Sequence, residues 1–108
     1  MNELQNQNIN NIQLPDALAV KKTAVIFRAV NHKLRQQMLL LLLQHDQMTV
    51  TEIFSRLFLE QSVASQHLAV LCRAGFVKTK REGKLIWYSV NPQRLEQVQK
   101  AIDALSSR

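Results

Sequence analysis

Between Gln61 and Lys84 the sequence gathers side chains suited to one kind of chemistry, reversible hydrogen bonding and ion pairing with a polyanion. Gln61, Ser62, Ser65, Gln66 and His67 offer amide, hydroxyl and imidazole donors and acceptors in close succession. Arg73, Lys78, Lys80, Arg81 and Lys84 follow with Glu82 as the only acid among them, so this stretch carries most of the chain's formal +6. Covalent chemistry is what the residues do not offer. The three histidines, His32, His45 and His67, are scattered and Cys72 stands alone. Neither C-x-x-C nor H-E-x-x-H spacing occurs, and there is no G-x-G-x-x-G, Walker loop or G-x-S-x-G. The reading is a binding protein rather than an enzyme, with no cofactor and no metal.

Composition narrows the partner and the compartment. A chain of 108 residues with 46% hydrophobic and 20% charged residues and two Gly and two Pro suits one folded, largely helical domain. Its pI near 10.0 points to a polyanion, and nucleic acid fits the residues above. One Cys makes no internal disulfide, which suits a reducing cytoplasm. The longest apolar run, Met38 to Leu43, is six residues, against the roughly 20 needed to span a membrane. No membrane association is expected.

The elements that would position these groups can be traced by period and punctuation. Residues 1–13, MNELQNQNINNIQ, are rich in Asn and Gln and read as a flexible tail, with the domain running from residue 14 to 108. Pro15 and Asp16 start a helix over Ala17 to Val30. A second helix from about His32 to Gln44 is apolar almost all round, which predicts a central position. Thr49 and Glu52 have capping-box spacing at the head of a short third helix ending near Leu57. A fourth helix runs from about Gln61 to Ala74 and stops at Gly75. The period then changes to strand-like over Phe76 to Lys80 and Leu85 to Val90, with Arg81 to Lys84 as the hairpin tip. Asn91 and Pro92 end the second strand, and a last helix carries Leu95, Val98, Ile102 and Leu105 on one stripe.

The expected fold is therefore mainly α with a two-stranded β wing, in the order four helices, two strands, one helix: a winged helix-turn-helix. On the fourth helix Ala64, Leu68 and Leu71 fall on one face and predict its core side. Ser62, Gln66, Ala69 and Arg73 then face outward, flanked by Val63 and Val70. Such a face can enter the major groove of double-stranded DNA, with Gln66 matched to adenine and Val63 to a thymine methyl. The wing cations Lys78, Lys80, Arg81 and Lys84 suit phosphate contacts, which give affinity and register. Trp87 and Tyr88 point to opposite faces of their strand and are expected to pack.

These segments also resemble a known family. FRAVNHKLRQQMLLLL (27–42) is similar to the F-K-A-L-x-D-P-T-R-L-x-I-L-x-L-L segment of the ArsR/SmtB repressors, with Arg35 on its Arg. QSVASQHLAVLCRAGFV (61–77) resembles the family's Q-S-T-V-S-x-H-L-x-V-L-R-x-A-G-L-V recognition segment, and KTKREGKLIWYSV (78–90) its wing. The resemblance implies a homodimeric, DNA-binding transcriptional repressor that dimerises through its first and last helices. Leu18, Val25, Leu95, Val98, Ile102 and Leu105 are the matching interface candidates, and His67 falls on a structural, backbone-contacting position.

Departures from the family pattern bear on sensing. Where metal-sensing members have E-L-C-V-C-D-L, this chain has Met48-Thr49-Val50-Thr51-Glu52-Ile53, with Thr at both Cys positions. Residues 92–108 hold no His, so the ligands of the other familiar metal site are missing as well. His32 and Lys33 stand where the family has Asp and Pro, which predicts weaker capping of the second helix. Phe58 replaces the turn Gly. Two alternative functions stay open on the sequence: a winged-helix module that docks an acidic protein, and a thiol-responsive regulator acting through Cys72. The effector is not legible.

Overall fold

The computed structural model describes residues 11–106. Five helices and a small sheet follow in order: α1 (Ala17–Val30), α2 (Lys33–His45), β1 (Met48–Thr49), α3 (Val50–Leu57), α4 (Gln61–Arg73), β2 (Val77–Glu82), β3 (Leu85–Val90) and α5 (Pro92–Ser106). The winged helix-turn-helix order is present, with one strand more than the sequence suggested. Of the residues expected as a tail, 1–10 lie outside those described, while Ile12 is exposed.

Local signals place most boundaries. The Asp16 carboxylate accepts from the Ala19 N–H at 3.0 Å and starts α1. At α3 the full capping box forms: the Glu52 N–H donates to Thr49 Oγ1 at 3.3 Å, and the Thr49 N–H donates to Glu52 Oε1 at 3.0 Å. His32 corrects the expectation of weak capping at α2, since its Nδ1 accepts from the Leu34 N–H at 3.2 Å and does what the family's Asp would do. The turn between α3 and α4 forms without glycine. Phe58 takes the left-handed conformation itself (φ 55°, ψ 45°), with its ring almost wholly in solvent. That backbone costs a non-glycine residue about 1 kcal/mol.

The core gathers Met38 and Leu42 from α2, Ile53 from α3, Leu68 and Leu71 from α4, and Phe76, all essentially inaccessible to solvent. Each such side chain contributes about 1.5–3 kcal/mol by leaving water. The position of α2 corrects the sequence expectation. Met38, Leu39 and Leu42 are buried, yet Leu40 and Leu43 are more than half exposed, because only one side of the helix is covered. An apolar helix surface is thus not evidence of a central helix.

The sheet is ordered β1, β3, β2, all antiparallel. The unpredicted β1 pairs Met48 with Tyr88 and Thr49 with Trp87. It is two residues long and so has no period to read. The hairpin tip is also shorter than expected: Arg81 pairs with Ile86 and Glu82 with Leu85, leaving only Gly83 and Lys84 as the turn. Gly83 has φ +60°, as the first position of a two-residue hairpin turn can require. Phe76 lies before the strand, in the core, and β2 starts at Val77.

Candidate nucleic-acid interface

Ala64, Leu68 and Leu71 anchor α4 with no more than 1% of their surface exposed, and this fixes the rotation of the helix. Gln61, Ser62, Ser65, Gln66, Ala69 and Arg73 accordingly face solvent. At 1.5 Å per residue the 13-residue helix presents this face over about 20 Å. Val63 and Val70 are half-buried at its flanks.

His67 lies apart from the solvent-facing side chains. It is half-buried, its ring centroid 4.7 Å from that of His32, and burial, followed by the nearby His32 and Arg35, lowers its pKa. The fold therefore disfavours the protonated ring. Arg35 is itself a brace between helices, its Nη1 donating to the Ala29 carbonyl at 3.1 Å.

The wing puts Lys78, Lys80, Arg81 and Lys84 in solvent. Lys80 is 3.7 Å from Glu82, an exposed pair worth little by itself. Arg81 has no ion-pair partner among the described residues. Tyr88 packs on the core, and Trp87 is half-buried on the face it shares with Lys80 and Thr49, consistent with the opposite orientations expected for the two rings.

The expected dimerisation residues divide. Leu18, Val25, Ile102 and Leu105 are exposed by 57%, 45%, 41% and 82%, whereas Leu95 is half-buried against the core. Val98 is 7% exposed and packs into this chain's own core from the stripe. Phe27, Arg28, Leu95, Val98 and Ile102 line an open groove between α1 and α5.

No three His, Cys, Asp or Glu side chains among the described residues lie together as a metal cluster. Cys72 is half-buried and burial raises its thiol pKa, which lowers the thiolate fraction on which reactivity depends. His45 is exposed, 3.3 Å from Arg56 through its Nε2. No described helix is long and apolar enough to cross a membrane.

The sequence reading missed the contacts of two residues. Asn91 and Arg94, at the head of α5, reach the turn that joins α4 to the wing. Only the folding back of the chain brings them there, and no local pattern announces it.

A helix-turn-helix with its second helix turned polar side outward beside a basic hairpin defines a winged DNA-binding regulator of transcription. Relatives narrow the class. The sequence model for "Bacterial regulatory protein, arsR family" matches residues 32–79. The transcriptional activator HlyU of Vibrio cholerae is 40% identical over 70 residues, spanning 65% of this chain and 64% of HlyU. An uncharacterised HTH-type transcriptional regulator of Methanocaldococcus jannaschii is 34% identical over 79% of this chain and 96% of its own length. The crystal structure of the transcriptional repressor PagR of Bacillus anthracis superimposes with a TM-score of 0.65 at 30% identity, covering 81% of this chain and 99% of PagR. The chain belongs to the arsR family of bacterial regulatory proteins.

Proposed function

We propose that this regulator acts as a cytoplasmic, homodimeric repressor that reads promoter DNA with α4 and grips it with the wing. In this reading Ser62, Val63, Ser65 and Gln66 meet base edges in the major groove. Gln61, His67 and Arg73 meet the adjoining backbone, and Lys78, Lys80, Arg81 and Lys84 meet phosphates. The observation that carries the reading is the rotation of α4: its only fully buried side chains are Ala64, Leu68 and Leu71, so the polar stripe has no partner among the described residues.

The dimer forms through α1 and α5, with Leu18, Val25, Ile102 and Leu105 covered by the second copy. Exposed apolar groups on two neighbouring helices beside an open groove support this assignment. Repression requires only occupancy of promoter DNA. The Thr residues at both Cys positions of the metal-sensing motif support a regulator without the familiar metal sites.

Selection of duplexes from a random-sequence pool by the purified protein tests this reading. The expected product is a sequence with two inverted half-sites one helical turn apart. Gln66→Ala should relax preference at one position in each half-site, whereas Arg81→Ala should weaken binding to every sequence alike. Equal behaviour of the two variants on all DNA would overturn the assignment.

A further inference from the structure

The joint between α4 and the wing is held from α5. Asn91 binds two consecutive carbonyls there: its Nδ2 donates to the Gly75 oxygen at 2.9 Å and its backbone N–H to the Phe76 oxygen at 2.8 Å. One helical turn further on, Arg94 lays its guanidinium over Gly75. A Cβ built on that glycine would stand 2.8 Å from Arg94 Nε and 2.9 Å from Nη2. Arg94 Nη1 donates to Gln97 Oε1 at 2.9 Å, which orients the group, while its Nε is buried without a hydrogen-bond partner. Gly75 itself has φ +82°, and Phe76 beside it is fully buried, so the grip falls on a fixed point of the backbone.

We infer that Asn91 and Arg94 are positioning residues that set the angle of the recognition helix relative to the dimerisation helix, and thereby determine which half-site spacing the regulator accepts. The inference rests on the homodimer reading above. Its lever is simple. A change at the joint, which lies at the C-terminal end of α4, would be carried along about 20 Å of helix. A tilt of about 10° moves the far end by about 3.4 Å, the rise of one base pair. Half-sites about 34 Å apart are matched only by a dimer that holds this angle. Neither residue needs to touch DNA for this effect.

The test uses the full chain and a duplex that the wild-type protein selects from a random-sequence pool, resynthesised with one base pair inserted or removed between its half-sites. Wild type should lose at least about tenfold in affinity on the respaced duplexes. Asn91→Ala and Arg94→Ala should bind original and respaced duplexes within about threefold of each other, with sedimentation as a dimer and the salt dependence unchanged. Arg94→Lys keeps a cation and an aliphatic stem over Gly75 and should restore part of the discrimination. Should Asn91→Ala fail to fold, Arg94→Ala carries the same comparison. Folded, dimeric variants that keep the wild-type discrimination overturn the joint alone. A wild-type protein that sediments as a monomer overturns the dimer reading and this inference with it.

Discussion

Arg81→Ala gives the sharpest quantitative expectation for the wing. Arg81 is exposed and has no ion-pair partner among the described residues, so its guanidinium is available for a phosphate. Each phosphate neutralised on duplex DNA contributes about 0.9 to the slope of log K against log salt. A dimer loses two contacts, so the slope should flatten by about 1.8, and by about 0.9 for a protein bound as one copy. Relative to 1 M salt, the two contacts correspond to about 60-fold in affinity at 0.1 M and about 12-fold at 0.25 M. Lys80 offers an internal comparison, because it lies 3.7 Å from Glu82. Lys80→Ala frees a carboxylate next to the DNA as it removes a cation, whereas Glu82→Gln should tighten binding at every salt concentration. Fluorescence anisotropy with a labelled duplex at four or more salt concentrations measures these slopes. An unchanged slope in Arg81→Ala would refute the phosphate-gripping wing.

Other expectations concern the fold and the dimer. Thr49→Ala removes the hydroxyl that accepts from the Glu52 N–H and should cost about 1 kcal/mol, or about 4–8 °C in Tm, by thermal denaturation. His67 has a lowered pKa in the folded chain, so the unfolded chain binds more protons near the ordinary imidazole value. Its contribution to stability is present above about pH 6.5 and is lost as pH falls through that value toward the folded pKa. His67→Asn should flatten that part of a Tm against pH profile. Val25→Asp places a carboxylate on an exposed position of α1 and should leave the fold intact while raising the dimer dissociation constant at least about tenfold by sedimentation.

Much of the fold is written locally in the chain. Asp16, the Thr49 and Glu52 pair, and Gly75 each act within a few residues of themselves, so their roles could be read before any packing was known. The rotation of α4 was legible for a similar reason: Ala64, Leu68 and Leu71 repeat at helical spacing, and the opposite face follows from geometry.

What escaped depends on distant partners. Met48 and Thr49 form a strand only because β3 lies beside them. Leu40 and Leu43 look like core residues until the cover on α2 proves one-sided, and the depth to which Val98 sinks into the core depends on how α5 packs on the body. His32 shows a different failure. Imidazole is seldom counted among capping groups, yet its Nδ1 accepts the Leu34 N–H as an Asp oxygen would. At the candidate site the exposed polar residues of α4 and the wing cations were readable from type and spacing. The contacts of Asn91 and Arg94 with the turn at Gly75 were not, since they join segments 16 residues apart and more.

The most direct test of the central claim is a footprint of the purified protein on the DNA upstream of its own gene. A homodimer that reads DNA with α4 should protect two inverted half-sites about one helical turn apart. Gln66→Ala together with Arg81→Ala should abolish the protection while the protein stays folded and dimeric. Protection of a single unpaired site, or full protection by the double variant, would contradict the account.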